Sequence, residues 1–495
     1  MAKGKEKTPS ISLGKFPDDE SAKRLRRYGV YESLLVGHHY SAYIQEAGSE
    51  FSERYGFLRY MTCNFAGLLS KVIADVLFGE KVIVETPDKN TKGQDFIDAL
   101  VYDSKLNVQL YESSLFNSAR GDALLRVRVE EGQIKIEDVN PAMYFPELDG
   151  NFRKDPEKKS LAWRENLELE GGKVASYMIV EEYTVGLIKT KIYRMKDEDS
   201  REIDSVVPVD IFNAITGKNI QEVVETGIKK IPLIHIPNFR MEGSYWGTSD
   251  FEDLQSLFFS INNRMTKIDN ILDKHSDPIL AVPDGILDEN GNVKKESLGM
   301  IEVREGEGKP EYIVWNANLD SAFKQIDEMI KMIFLMGEIS PDVVGLDTGR
   351  GGAESGRALK LRMVRTLAKK NRKALYYEQG IKEAIEIASM YANVGHQVGG
   401  IKYKGEPIIP NVQFADGIVD DKVEEIQNET LKLDAGLTSV KRAIKVIEDV
   451  GDDEANAIKE EIDKDNEGKG DFNSDILFHR EASKVDEQKE PVKEN

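Results

Sequence analysis

Apolar side chains recur with two periods along this chain, and the change between them falls at Trp246-Gly247. Before it the periods mix. Residues 21–43 read as a surface helix, basic at its start (Lys23, Arg24, Arg26, Arg27), where a solvated face is preferred over a nucleic-acid contact. Over residues 60–78, Phe65, Leu68, Leu69, Val72, Ile73, Val76 and Leu77 repeat at three- and four-residue steps until Gly79, which predicts an amphipathic helix stopped by glycine. Residues 81–85 predict a short strand and residues 95–119 a helix. Leu125, Val127 and Val129 then alternate with charged residues, the period of a strand with one buried face. Glu131-Gly132 turns that strand into Ile134 and Ile136 as a hairpin. Residues 177–185 with 189–195 predict a second strand pair, and 231–238 a strand with a proline near each end.

Beyond Gly247 the pattern is helical. Ser249 and Glu252 have the spacing of a capping box, and Phe251, Leu254, Leu257, Phe258, Ile261, Met265, Ile268 and Ile271 form one stripe, a helix of about 40 Å ending near Asp273. Pro278 and Pro283 stop it, and turn pairs around short apolar runs make residues 277–315 a small β-containing insert. A second helix covers residues 319–336, so two helices bracket the insert and can project it as an antiparallel pair. Ser340-Pro341 ends this helix, and residues 342–352 read as a mobile glycine-rich loop. A third helix, from Glu354 or Ser355 past Tyr391, would run about 60 Å with a bend at Gly380. Two short acidic helices, at 421–433 and 440–450, precede a charged end that reads as disordered from Asp463. The fold class is α+β, with a mixed front region followed by long helices.

Charge narrows the function. The formal net charge is −21, and residues 411–495, with 24 acidic against 12 basic side chains, carry −12 of it. That argues against holding nucleic acid by broad phosphate neutralisation. One cysteine, Cys63, excludes an internal disulfide framework and reads as small apolar packing. No secretory signal is read at the start, and no apolar run is long enough for a membrane span. Gly349, Gly351, Gly352 and Gly356 are dense, but no Gly-Lys-Ser/Thr completes a phosphate cradle. None of the six histidines stands in a metal-ligand spacing, and no acidic pair separates from the general excess as an acid/base dyad. No catalytic residue, cofactor or metal is therefore assigned. The exception to the acidity is a basic block, Arg357, Lys360, Arg362, Arg365, Lys369, Lys370, Arg372 and Lys373. It would face phosphates or pair with carboxylates of a neighbouring chain, and the acidic excess favours the second.

The order of parts resembles the portal family of tailed phages, in the branch of long-tailed phages of Gram-positive hosts. The likeness is carried by residues 64–80 (NFAGLLSKVIADVLFGE), 119–125 (ARGDALL), 139–146 (VNPAMYFP), 231–238 (IPLIHIPN), 246–254 (WGTSDFEDL), 355–365 (SGRALKLRMVR) and 435–439 (AGLTS). The resemblance implies a flexible start (1–20), a wing (21–245), a first stem helix (246–275), a clip (276–317) and a second stem helix (318–338). A tunnel loop (339–353), a long wing helix with a return strand (354–410), a crown (411–465) and a disordered acidic tail (466–495) complete it. It further implies a ring of about twelve copies through which double-stranded DNA passes. The clip would meet the terminase large subunit and later a head-completion adaptor, and the wing would meet major capsid and scaffolding proteins. The place would be the portal vertex of the virion, after assembly in the host cytoplasm. An acidic conduit lets DNA slide, because phosphate contacts summed around a ring would hold it. Lys267, Lys274, Lys324 and Lys331 on the stem are the candidate channel lysines, and Asp342, Val343, Val344 and Asp347 the loop residues expected to approach DNA. The rival readings are a capsid-associated adaptor without a channel and a metal-dependent nuclease.

Overall fold

The computed structural model describes residues 14–55, 59–87, 91–148, 154–169, 173–276, 279–281, 311–313, 319–345, 361–415, 422–448 and 450–467. The chain divides into two units, Met1–Gly352 with Lys360–Gly417, and Ala353–Leu359 with Ile418–Asn495.

The first unit begins with helices α1 (Asp19–Leu35), α2 (His39–Ala47), α3 (Ser49–Tyr55) and α4 (Phe65–Phe78). The carboxylate of Asp18 caps α1 by accepting from the Ser21 amide, and the side chain of Asn64 caps α4 by accepting from Gly67. Strand β1 (Ile83–Glu85) leads to α5 (Thr91–Asp103) and α6 (Leu106–Arg120). The single helix predicted over 95–119 is thus two. Lys105 takes a left-handed conformation between them, and the Ser104 hydroxyl accepts from the Ile136 amide at 2.9 Å, which pins the break against the hairpin.

That hairpin is β2 (Asp122–Glu130) and β3 (Gln133–Asp138), turning through Glu131 and Gly132, both at positive φ as a type I′ turn requires. A six-stranded antiparallel sheet follows, built from β4 (Tyr144–Pro146), β5 (Lys159–Leu169), β6 (Lys173–Thr184), β7 (Leu187–Met195), β8 (Ile203–Val207) and β9 (Val223–Glu225), with α7 (Val209–Thr216) between the last two. The predicted pair is its centre, β6 against β7. Strand β10 (Leu233–Pro237) returns to β2, giving the order β10-β2-β3.

Helix α8 (Gln255–Ser276) then runs to β11 (Ile279–Ala281), which pairs antiparallel with β12 (Glu311–Ile313), and α9 (Asp320–Met336) comes back. Phe258, Ile261 and Ile268 of α8 share one apolar cluster with Ile326, Met329 and Ile333 of α9 and with α1, α2 and α4. α8 starts six residues after the expected cap, because Ser249 uses its hydroxyl to accept from the Phe251 amide in the turn that precedes the helix. Helix α10 (Val364–Asn393) follows, and β13 (Asn411–Gln413) pairs with β1. The single helix expected from near residue 354 is interrupted at Met363, and its expected start lies outside the described residues. Gly380 makes no break in it. A Cβ there would overlap Cδ1 of Ile236 on β10, so glycine serves close packing of helix on sheet rather than a bend.

In the second unit, α11 (Lys422–Asp434), α12 (Val440–Glu448) and α13 (Asp452–Glu467) form a three-helix run, with α12 packed against both others. Two helices were expected; α13 adds a third and carries helical structure through 463–467, where disorder was expected to begin. Residues 468–495 lie outside the described residues.

Candidate functional site at the root of the helix pair

Both ends of the α8–α9 pair leave the apolar cluster at one place, and there the chain concentrates buried polar groups. The backbone arrives through a tight crossing. Gly121, at φ +87° after α6, lies so close to Gly247 that a Cβ on Gly121 would sit 2.8 Å from the Gly247 carbonyl oxygen. Asp122 follows, fully buried; its carboxylate accepts from the Gly247 amide at 2.8 Å, from His235 Nε2 at 2.7 Å and from the Tyr28 hydroxyl at 2.5 Å. Burial pushes the His235 pKa down, although Asp122 opposes the shift.

Asp250, just ahead of α8, is the second buried carboxylate. It accepts from Lys373 at 2.6 Å and from the Asn238 amide at 3.0 Å, and Lys369 lies at 3.2 Å. Lys369 also donates to the Gly337 carbonyl at the end of α9, at 2.9 Å, and Lys373 donates to Ser118 Oγ at 2.8 Å. Two adjacent turns of α10 therefore grip the start of α8 and the end of α9 at once. Burial alone would raise the Asp250 pKa, but the two ammonium groups hold it well below the usual carboxylate range. Burial, with Lys369 nearby, draws Lys373 down to about 8.

α8 is also hydrogen-bonded to α2 and to the segment that leads into α4. The Asn262 Oδ1 accepts from the Cys63 amide at 2.8 Å, Thr266 Oγ1 from Met61 at 3.0 Å, and Asn262 Nδ2 donates to His39 Nδ1 at 2.8 Å. His39 is thus a buried strut, with Nε2 left to donate to the Leu34 carbonyl at 3.0 Å, and burial pushes its pKa down.

The basic block is not one continuous cationic face, which corrects the reading from sequence. Lys369, Lys370 and Lys373 are buried, and Lys370 donates to the Ala415 carbonyl. Arg365 and Arg372 both bond the carboxylate of Glu338, and Arg362 lies 3.5 Å from Asp342. Arg357 and Lys360 lie outside the described residues. Nor is Arg24 part of a solvated face: it is buried, with its guanidinium 3.8 Å from the Trp246 ring centre and donating to the Pro141 and Tyr144 carbonyls. Such a stack on an aromatic plane with two carbonyls is what a guanidinium, unlike an ammonium, can make.

Of the loop residues, Asp342, Val343 and Val344 form a short 3-10 turn, Pro341–Val344. The Ser340 hydroxyl donates to Asp342 at 2.9 Å, and Val343 and Val344 pack half-buried on the α8–α9 cluster. Asp347 lies outside the described residues. Lys267 on α8 and Lys324 and Lys331 on α9 are exposed, Lys331 donating to Glu328 at 2.6 Å; Lys274 belongs to the last turn of α8. The root itself, Asp122, Asp250, Asn238 and His235, was missed from sequence; its one signal was the pair of glycines, Gly121 next to Asp122 and Gly247 three residues before Asp250. Among the described residues no group of histidine, cysteine or carboxylate side chains could hold a metal ion, and no helix is long and apolar enough to cross a membrane.

A family model described as phage portal protein, SPP1 Gp6-like, matches residues 15–468. No curated protein matches the chain. Similar solved structures include the virion of a native gene transfer agent particle, at 11% identity and a TM-score of 0.45, covering 88% of this chain and 94% of that one. The neck of the empty particle, computed with C6 symmetry, is similar at 13% identity and a TM-score of 0.45, covering 77% of this chain and 89% of that one. The neck of the native particle, computed with C12 symmetry, is similar at 12% identity and a TM-score of 0.43, with the same coverage of 77% and 89%.

Proposed function

The chain belongs to the SPP1 Gp6-like phage portal family, and from that membership we propose that it is a structural, non-catalytic subunit that closes into a ring of about twelve copies at one vertex of a tailed-phage capsid, leaving an axial channel for double-stranded DNA during packaging and ejection. In this reading α8 and α9 are the stem, residues 276–317 the clip, and residues 339–353 the tunnel loop. Residues 21–245 with α10 are the wing, and residues 411–465 the crown. The clip receives the terminase large subunit and then a head-completion adaptor, the wing meets major capsid and scaffolding proteins, and assembly takes place in the host cytoplasm. The phage would be of the long-tailed type that infects Gram-positive hosts.

The observation that carries the reading is the helix pair α8–α9, closed at one end by the strand pair β11–β12 and rooted at the other in the α10 lysines. This is the order in which the family resemblance places clip, stem and wing. The chain's charge supports it: a conduit of net −21 subunits repels phosphate on average, so a duplex threads without being held. Exposed Lys267, Lys324 and Lys331 would relieve that repulsion locally along the stem. The test is electron microscopy with mass determination on the purified chain, with salt and divalent ions varied. Annular particles with a central hole of roughly 20 Å or more, enough for a duplex, are expected. Compact particles without a hole under every condition would favour the adaptor role instead.

A further inference from the structure

We infer that the outward face of α10, with the end of α9 beside it, is where a second copy of this chain packs, an inference that rests on the portal reading. α10 is apolar on two sides. Its inner side enters the core through Tyr377, Ile381 and Ile385. A second set, Val364, Ala368 and Leu375, is spaced by four and seven residues and forms an outward stripe of about 17 Å, with Leu361 three residues ahead of the helix start. Leu361 is 69% and Leu375 64% exposed. Leu335, at the end of α9 and 76% exposed, lies three residues before Glu338, which follows the helix and bonds Arg365 and Arg372 along the stripe's edge.

The chemistry of the surface selects its occupant. A duplex would meet the arginines with phosphates but would press its charged backbone against Leu361, Val364 and Leu375, which gain nothing from it. A protein face buries them. The arginines outnumber their glutamate two to one, so the rim is cationic, whereas a facing copy of this chain is acidic on average, with a net charge of −21. The exposed apolar side chains offer on the order of 400 Å², as large as the main patch of an ordinary monomer and about half of what each partner gives to a standard interface. That fits an apolar centre inside a charged rim. In a closed ring the contact is head-to-tail, so each copy uses this face once, against a different face of its neighbour.

The test uses the full chain under conditions in which the wild type assembles. Leu361→Asp and Leu375→Asp are compared with it by sedimentation velocity and negative-stain microscopy, with thermal melting to verify the fold and a duplex-DNA gel shift alongside. Both positions are exposed, so the variants should melt like the wild type; Leu361→Gln or Leu375→Gln replaces the one at its position that does not. The expected result is folded single copies and an assembly concentration raised about tenfold or more. Variants that form rings at the wild-type concentration would overturn this inference and leave the portal reading standing. Intact rings that lose DNA binding would assign the face to nucleic acid, again overturning it. A wild type that forms no ring under any condition would remove the portal reading, and this inference with it.

Discussion

Asp250 holds two lysines inside the molecule, and the asymmetry of that group makes its variants unequal. Asp250→Asn leaves two buried ammonium groups without a counter-charge, whereas Lys373→Met leaves a one-to-one pair of Asp250 with Lys369. Removing the lone partner of buried charge costs about 3–5 kcal/mol, so Asp250→Asn should lose that much in denaturant unfolding and Lys373→Met clearly less; the reverse order would refute the assignment. The buried histidines predict a pH response. His39 and His235 both titrate below their ordinary 6.5, so beneath that pH the unfolded chain binds protons that the folded chain refuses. The two histidines should therefore lower stability on acidification from pH 7 to pH 5, by up to roughly 1.4 kcal/mol per pH unit and histidine, offset in part by Asp138, whose carboxyl burial raises to about 6. Asp250 contributes nothing to this window, since its depressed pKa keeps it ionised until far lower pH. Replacing His235 by Gln and repeating the unfolding series should flatten the slope. Neither feature was legible in the sequence. Lys369 and Lys373 read as surface cations because their partner lies over a hundred positions away, and a one-dimensional pattern shows charge without showing its counter-ion.

At the scale of elements the sequence was a better guide where period alone decides. The α4 run and its glycine stop, the β2–β3 hairpin, β10 and the two helices around the small insert all follow from apolar spacing. The misses have local causes. Ser104 and Lys105 break a run whose period continues across them, because a hydrogen bond from the hairpin holds the break. At Gly380 the residue was noticed and its reason misjudged, since what it accommodates is Ile236 on a distant strand. That contact gives a prediction. Gly380→Ala gains up to about 1 kcal/mol of helix propensity but forces a methyl group into Ile236, and overpacking a filled core costs typically 1–3 kcal/mol. The substitution should be net destabilising, and Ile236→Val, by removing the overlapping Cδ1, should recover part of the loss. Additive effects in the double-mutant cycle would mean that the two residues do not interact.

Over the whole molecule the acidity acts against the assembly proposed for it. Each subunit brings −21, with −12 from residues 411–495, so closing a ring gathers like charge that only salt or a partner can screen. The Debye length shrinks from about 10 Å at 0.1 M ionic strength to about 3 Å at 1 M. Ring formation should accordingly strengthen as salt rises, the opposite of what contacts to phosphate would give. Helix α13 allows the source to be located, because Glu454, Glu460, Glu461 and Asp463 are all exposed on it. Converting these four to their amides should move the salt midpoint for assembly downward without changing the melting behaviour of the isolated chain. The apolar stripe on α10 should respond differently, since burying Leu361 and Leu375 becomes no weaker in salt; Leu361→Asp should impair assembly at every ionic strength. A midpoint that ignores these four α13 charges would place the repulsion elsewhere in the chain, whereas assembly insensitive to salt throughout would mean that the subunits already neutralise one another across their interfaces.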